Sequence, residues 1–406
     1  MQEVAIIGGG ASGFAAAIEL ARQCSTCHIT IYERLEKPLK KILATGNGRC
    51  NLTNMTASKQ DYFGDIAYFT PVFKKFSPKS TLSFFTDMGL CTKEEELGRV
   101  YPLSSQASSV RDLLLSAAKE HGIQIVTACP ITKVQAKKDG TFLLNGTYKA
   151  DFVVLAFGGK AGSKHGTDGS AYALFEQLQI PMVAPAPALT ALYVKENCKS
   201  LKGVRQISAI SLWIDGKERY QIVGEVQFTD YGLSGVPIMQ LSRLCSTAKS
   251  DDLVVKLNCL PQVKVEDLLS HLSRAKSEHP NMSISLLLSG LLPKVLSEYI
   301  LKCAHIRQDA ALKSLEKSAL QTLVKCIGQL KFTITGTKGF EFAQVTAGGA
   351  DGRAFFDTTL ECKKIPHLYA AGEALNVDGG CGGYNLQWAW CSGRAVGEAI
   401  AKEISL

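Results

Sequence analysis

Three glycines and one acid near the start of the sequence have the spacing of a dinucleotide-binding motif. Gly8, Gly10 and Gly13 lie between a β-branched run and a helical pattern, and Glu33 ends the next β-branched run. In such a motif one glycine makes the turn, one lets the backbone approach a pyrophosphate, and one lets the helix pack closely on the strand. A carboxylate at Glu33 would accept hydrogen bonds from ribose hydroxyls. The sequence therefore predicts a dinucleotide site.

Two further glycine-rich segments contain groups that could serve the same ligand. Residues 45–51 read Thr-Gly-Asn-Gly-Arg-Cys-Asn, in a stretch that is long for an ordinary connection. Residues 382–385 read Gly-Gly-Tyr-Asn and precede the last predicted helix, whose N–H groups and dipole would stabilise charge on a reduced flavin. FAD is favoured over NAD, because the chain returns to a glycine-rich α/β pattern at its far end and no second fingerprint marks a nicotinamide domain.

Several cysteines lie in places where thiol chemistry is conceivable. Cys50 and Cys381 fall in the two glycine-rich segments, and each could be a proton donor opposite a flavin or a small buried residue. Cys24 and Cys27 have zinc or redox spacing, but no second pair accompanies them, so we interpret them as ordinary thiols and expect no metal site. His165 lies in a polar loop, where it could contact substrate or solvent.

The elements that must position these residues alternate between strands and helices. The first part is predicted to contain strands over 4–7, 28–32 and 152–157, helices over 11–22 and 110–121, and a small β meander over 123–127, 131–134 and 141–144. Strands dominate from 191 to 228 and helices from 263 to 327, and a final helix is expected over 385–400. The βαβ start predicts a parallel sheet.

Composition restricts the classes of protein that fit. The chain has 406 residues, of which 46% are hydrophobic and 20% charged, which favours a packed protein of two or three domains. Its net charge of +8 is only mildly basic. Thirteen scattered cysteines favour reduced thiols and a cytoplasmic location. We expect neither a signal peptide nor a membrane span.

The sequence resembles the BaiN-type flavoproteins, a family that includes aminoacetone oxidase and a bile-acid dienone reductase. The resemblance is carried by residues 4–13, 45–54, 158–160, 228–235, 343–349, 371–373 and 382–390. Asp230 stands where the family has His, and Ala350 where it usually has Val, so no role is carried over to Asp230.

The resemblance implies an α/β fold with a split glutathione-reductase-type FAD-binding Rossmann domain, an inserted β-barrel-like domain and a small helical domain. The expected divisions are 1–187 and 338–406 for the two parts of the FAD-binding domain, 188–256 for the inserted β domain, 257–327 for the helical subdomain and 328–337 for the return strand of the β domain.

The fingerprint and the resemblance together give a set of residues expected to bind FAD without a covalent bond. The set is Gly8, Gly10, Ala11, Ser12, Gly13, Glu33, Arg34, Lys41, Gly48, Arg49, Cys50, Asn51, Ile131, Ala156, Gly158, Gly372, Glu373, Gly383, Tyr384, Asn385 and Leu386. Arg49 is expected to offset pyrophosphate or flavin charge, and Lys41 either does the same or is a surface lysine. Glu373 is expected to hold the ribityl chain or the pyrophosphate.

Three functions fit these observations. The leading hypothesis is an FAD-dependent oxidoreductase of a small substrate, by amine oxidation or C=C reduction, with NAD(P)H as a transient electron donor or oxygen as acceptor. The second is a dihydrouridine synthase that reduces uridine in ribosomal RNA and docks through the basic segment 260–331, although that segment lacks interleaved aromatic residues. The third is a non-catalytic flavin-binding protein. The oligomeric state stays open.

Overall fold

The first part of the chain follows the predicted alternation of strands and helices. The computed structural model describes residues 1–405. Its first strands are β1 (Gln2–Ile7), β2 (Cys27–Tyr32), β3 (Thr53–Asn54), β4 (Tyr62–Gly64), β5 (Thr92–Glu94), β6 (Arg99–Pro102), β7 (Gln124–Val126), β8 (Val134–Ala136), β9 (Phe142–Leu144), β10 (Tyr148–Ala150), β11 (Phe152–Leu155) and β12 (Met182–Ala188). The helices between them are α1 (Ala11–Gln23), α2 (Lys40–Ala44), α3 (Thr70–Lys75), α4 (Pro78–Thr86), α5 (Ala107–Glu120) and α6 (Ala173–Gln177).

The rest of the chain contains a β-rich and helical insertion followed by a return to short strands. Its strands are β13 (Leu192–Val194), β14 (Arg205–Ile214), β15 (Lys217–Phe228), β16 (Gly232–Ser234), β17 (Leu253–Asn258), β18 (Leu330–Thr337), β19 (Val345–Ala350), β20 (Leu368–Ala370) and β21 (Val377–Gly379). Its helices are α7 (Val236–Thr247), α8 (Val265–Glu278), α9 (Ile284–Ser289), α10 (Lys294–Cys303), α11 (Lys317–Gly328) and α12 (Tyr384–Ile404).

A five-stranded parallel sheet holds the start of the predicted site. Its order is β20-β11-β1-β2-β7, so β1 is central and the loop after it lies at the carboxyl edge. The last helix, α12, packs on α1 through small residues. A Cβ atom at Gly393 would lie 2.3 Å from the Ser12 carbonyl oxygen, and one at Gly397 would lie 2.4 Å from that of Ala16. This close packing brings the two ends of the chain together beside the sheet.

The predicted three-part meander is wrong in one element. Residues 142–144 pair with 134–136 and 148–150 in a small antiparallel sheet, but β7 joins the parallel sheet beside β2. Helix α5 connects the chain to β7 as a crossover, and such a crossover returns a strand parallel to its neighbour. Local pattern alone did not reveal this distant partner.

The chain divides into two units, one formed by Met1–Pro187 and the residues from Ala343 onward, the other by Ala188–Phe342. In the second unit six strands close a barrel in the order β13-β16-β15-β14-β17-β18. Alternate residues such as Ile210, Leu212 and Phe332 are fully buried there, and α8 to α11 contribute further buried leucines. The predicted α/β fold with an inserted β-barrel and helices is confirmed.

Candidate functional site

The glycine loop after β1 combines two closely packed positions with one open position. Gly8 has φ +113°, and a Cβ there would lie 2.4 Å from the Ala156 carbonyl oxygen. A Cβ at Gly13 would lie 2.1 Å from the Gly8 carbonyl oxygen. By contrast, a Cβ at Gly10 meets no atom within 4 Å. The first two glycines are therefore required by packing, and Gly10 leaves space for a ligand.

Helix α1 begins at this open position without a side-chain cap. Its N-cap residue is Gly10, and no acidic residue lies in the first turn. The first N–H groups of a helix have no partner within the helix, and the helix dipole places partial positive charge beside them. This end of α1 is thus suited to an anion such as a pyrophosphate.

A cavity of about 580 Å³ extends from this loop along the carboxyl edge of the sheet. Thirteen of the residues predicted to bind a cofactor line it: Gly8, Gly10, Ala11, Ser12, Glu33, Arg34, Lys41, Ile131, Ala156, Gly158, Glu373, Asn385 and Leu386. They come from the start, middle and end of the first unit. The volume lies within the range of ordinary small-molecule and cofactor sites.

Glu33 lines the cavity and also supports the glycine loop. It is buried, its Oε2 accepts a hydrogen bond from the Gly9 N–H at 2.8 Å, and its Oε1 accepts one from the Leu35 N–H at 2.8 Å. A carboxylate can accept about four hydrogen bonds, so capacity remains for ligand hydroxyls. The acid therefore has a supporting role that the sequence analysis did not predict.

Lys41 and Glu373 form an ion pair on another wall of the cavity. The Lys41 Nζ lies 2.8 Å from Glu373 Oε2 and donates to the Ala161 carbonyl oxygen at 3.2 Å. Glu373 Oε1 accepts the Thr346 N–H at 2.7 Å. The Thr346 hydroxyl in turn accepts the backbone N–H groups of residues 160 and 161. Thr346 lies in a segment that carried the family resemblance, but no role was predicted for it.

The second helix N-terminus at the cavity is that of α12. Its N-cap is Gly383, which has φ +96° and no side-chain cap, and no acid lies in the first turn. Asn385 holds the preceding turn, because its side chain donates to the Gly379 carbonyl oxygen and accepts the Gly379 N–H, both at 2.8 Å. Two uncapped helix ends, those of α1 and α12, therefore contribute lining residues to one cavity.

Eight predicted residues do not line the cavity: Gly13, Gly48, Arg49, Cys50, Asn51, Gly372, Gly383 and Tyr384. Arg49 has protein partners of its own in the structure. Its guanidinium pairs with Glu95 and lies 4.1 Å from the centre of the Tyr101 ring. Glu95 follows β5 and Tyr101 lies in β6, and the expected role of Arg49 toward FAD stays a prediction.

Asn51 and the nearby glycines have supporting positions. A Cβ at Gly383 would lie 2.5 Å from the Thr53 carbonyl oxygen, and one at Gly372 would lie 2.5 Å from Ser12 Oγ. Asn51 Oδ1 is buried and has no hydrogen-bond partner. Asn51 thus has an acceptor free, next to the turn that starts α12.

The two candidate thiols differ in their surroundings. Cys50 is fully buried, and burial raises the pKa of its thiol to about 12. Cys381 is only partly buried, its Sγ lies 3.8 Å from Gln344 Oε1, and burial raises its pKa to about 11. Both thiols are therefore neutral near pH 7. The surroundings of Cys50 favour the packing role.

Charged residues surround one part of the cavity. Arg34 Nη1 donates to Asp168 Oδ1 at 2.6 Å, and this pairing holds the pKa of Asp168 well below its ordinary value. His165 also lines the cavity, and burial together with neighbouring lysines lowers its pKa. His165 is thus neutral near pH 7, and the surrounding cations favour an anionic ligand.

The described residues contain neither a metal-binding cluster nor a helix that could cross a membrane. Among residues 1–405, no group of three or more His, Cys, Asp or Glu side chains has the arrangement of a metal site. Cys27 Sγ donates to the Cys24 carbonyl oxygen at 3.4 Å, and both cysteines are free thiols. No helix within the same residues combines the length and apolar character needed to cross a membrane.

Comparison with known proteins gives matches over nearly the whole chain. Residues 2–399 match the family model described as HI0933-like protein Rossmann domain. The chain is 36% identical to the 3-dehydro-bile acid delta(4,6)-reductase of Clostridium scindens, over 99% of this chain and 100% of that protein. It is 29% identical to the ribosomal RNA dihydrouridine synthase of Haemophilus influenzae, over 98% of each chain. A solved quinol-fumarate reductase with menaquinol molecules has a TM-score of 0.50 at 15% identity, over 100% of this chain and 72% of that one, which shows a shared fold alone.

Proposed function

The chain is an FAD-dependent oxidoreductase of the HI0933-like Rossmann-domain family, and we propose that it reduces a carbon–carbon double bond conjugated to a carbonyl group. The observation that carries this proposal is one cavity lined by an open glycine loop, the buried acid Glu33 and residues from two uncapped helix ends. When bound, FAD supplies hydride transfer, and the protein's residues place and tune it.

The residues present fit this cofactor. The open side of Gly10 gives a pyrophosphate room beside the N-terminus of α1. Glu33 and Ile131 both line the cavity, where Glu33 would accept ribose hydroxyls and Ile131 would contact the adenine. The uncapped N-terminus of α12, whose residues Asn385 and Leu386 line the cavity, would stabilise the negative charge of the reduced ring.

Reduction is favoured over amine oxidation by what the relatives' names denote. A delta(4,6)-reductase and a dihydrouridine synthase both saturate carbon–carbon double bonds, the first in a 3-dehydro-bile acid and the second in a uridine. In both compounds the double bond is conjugated to a carbonyl. We therefore propose hydride addition to an electron-poor double bond as the reaction of this chain.

NAD(P)H is the proposed electron donor. The sequence has one glycine fingerprint, at residues 8–13, so a nicotinamide nucleotide would bind only transiently beside the bound flavin.

Thirteen free thiols, one of them the exposed Cys91, favour a reducing compartment such as the cytoplasm.

The direct test is steady-state reduction of a cyclic enone by the holoenzyme with NADH or NADPH, with the product identified by mass spectrometry. A gain of two hydrogens that depends on the enone supports the proposal. An enzyme that consumes oxygen with amines, and leaves the enone unchanged, contradicts it.

A second candidate substrate is a uridine within ribosomal RNA, and the distribution of charge favours it. Residues 188–342 hold 20 Lys and Arg against 14 Asp and Glu, so most of the chain's net charge of +8 lies in the second unit. Basic surfaces bind nucleic acid through phosphate contacts that weaken as salt increases. Reduction of a uridine-containing RNA by the holoenzyme, assayed by the mass of the digested nucleosides, tests this candidate. Unmodified uridine in every RNA offered would contradict it.

A further inference from the structure

Aromatic rings and a lysine form a patch at one end of the barrel unit. We call Tyr193, Tyr231, Lys338 and Phe342 the aromatic–lysine patch. The rings of Tyr193 and Tyr231 meet edge to face, with centroids 5.5 Å apart. The Lys338 Nζ lies 4.3 Å from the Tyr231 ring centroid and 4.1 Å from that of Phe342. Tyr193 is 38% exposed and Phe342 is 49% exposed.

The patch is assembled from separate strands. Tyr193 on β13 is in register with Gly232 on β16 and with Gly336 on β18. Tyr231 directly precedes β16, and the backbone N–H of Lys338, just after β18, donates to the Ala191 carbonyl oxygen at 2.9 Å. Backbone pairing, with a register shift after Tyr193, therefore sets the positions from which these side chains extend. These residues are distant in sequence and lie outside the basic segment 260–331, so no local sequence pattern marks the patch.

Charged residues of both signs adjoin the patch, within a unit that is basic as a whole. Asp230 is next to Tyr231, but its carboxylate lies 3.0 Å from Lys202 Nζ, and this lysine lowers the pKa of Asp230. Lys338 lies against the rings and is near enough to Asp230 to lower the pKa of that carboxyl as well. The whole unit also has an excess of basic residues.

We propose that the aromatic–lysine patch binds an unpaired base of single-stranded RNA by stacking, with Lys338 and the surrounding basic residues attracting the phosphates. Exposed aromatic side chains beside cations are the usual means of binding unstacked bases. A small apolar substrate would instead call for an enclosed, mostly apolar pocket. This inference rests on the RNA candidate of the proposed function and names the surface that would recognise the RNA.

The test measures binding of a fluorescent oligouridine to the FAD-loaded full-length protein by anisotropy at several salt concentrations. We expect Tyr193→Ala to weaken binding about tenfold, since one base–aromatic stack has roughly this effect. Tyr193→Phe keeps a ring and should bind within about twofold of wild type. Lys338→Gln should weaken binding and make its salt dependence less steep.

Lys256→Gln is the matched control. Lys256 lies 3.2 Å from the Trp213 ring centroid on the same barrel but outside the patch. The Lys256→Gln substitution removes the same charge and the same kind of lysine–aromatic contact as Lys338→Gln. It therefore separates a local effect at the patch from a general loss of charge. We expect it to retain RNA affinity and enone reduction.

Three results would overturn the inference. The first is that wild-type protein binds no oligouridine. The second is that Lys256→Gln and Lys338→Gln lose RNA affinity equally. The third is that Tyr193→Ala binds RNA normally but has a higher KM for a small enone. If wild-type protein reduces the enone and binds no RNA, the inference fails while the proposed reduction stands. Failure to reduce any double bond, with normal RNA binding, would contradict the reduction instead.

Discussion

The Lys41 Nζ lies 2.8 Å from Glu373 Oε2 and joins two segments that are 332 residues apart in sequence. Both side chains line the cavity, with 29% and 21% of their side-chain surface exposed. From the sequence, Lys41 could act at the cofactor or lie on the surface. The structure places it at the cavity, where it balances the charge of the acid that was expected to hold the cofactor.

We expect Lys41→Met to weaken FAD binding about tenfold, since it leaves Glu373 as an unpaired, partly buried carboxylate beside an anionic cofactor. Titration of the apoprotein with FAD, followed by flavin fluorescence, measures the effect. Combining Lys41→Met with Glu373→Gln should recover part of the affinity, because the uncompensated charge is then removed.

Lys75→Met is the control for this pair. Lys75 also pairs with an acid, Glu398, but it does not line the cavity. Its replacement should leave FAD affinity unchanged. Equal losses in the two lysine variants would show that Lys41 affects FAD only through general stability.

Gly10→Val and Gly13→Ala should fail in different ways. At Gly10 the backbone is extended, with φ −96° and ψ −169°, and the added side chain meets open space, so the protein should fold but lose FAD. At Gly13 the added methyl would meet the Gly8 carbonyl oxygen, so folding itself should suffer. Thermal unfolding by circular dichroism and the flavin absorbance of the purified protein distinguish the two. A folded Gly10→Val protein with a full complement of FAD would contradict the assignment of the loop.

The buried Cys50 thiol should make stability depend on alkaline pH. Its pKa is about 12 in the folded chain against an ordinary value of 9.0, so the protonated thiol is favoured by folding. The stability that depends on the proton is fully present below pH 9 and is lost as pH rises from 9 towards 12. Cys50→Ala removes this dependence.

Urea unfolding at pH 8 and pH 10.5 tests this prediction. The free energy of unfolding should fall between the two pH values by about 2 kcal/mol more in wild type than in Cys50→Ala. Turnover of Cys50→Ala should stay within about twofold of wild type, as for a residue that only packs. A large loss of turnover with unchanged stability would instead indicate that Cys50 is a proton donor.

Prediction from sequence was most successful where the structure depends on near neighbours. The glycine loop, Glu33 and α1 form one continuous βαβ unit, so their spacing was informative. The sequence pattern placed β7 in the wrong sheet, because its partner β2 is far away along the chain. The pairing of Arg49 with Glu95 was not foreseen for the same reason. Thr346 was missed for the same reason, since its contacts are with backbone near residue 160 and with Glu373.

The aromatic–lysine patch illustrates the same limit. Tyr193, Tyr231 and Lys338 are separated by long stretches of chain, and only the pairing of β13 with β16 and β18 brings them together. Residues that form such a surface are not clustered along the sequence, so the sequence alone does not predict it.

The most direct test of the central claim is anaerobic stopped-flow absorbance of the reduced holoenzyme mixed with a cyclic enone. The account predicts that the absorbance band of oxidised flavin returns with the enone at a rate that depends on its concentration, and does not return with the corresponding saturated ketone. A band that returns only when oxygen is admitted, together with bleaching of the oxidised enzyme by an amine, would contradict the account and identify an oxidase.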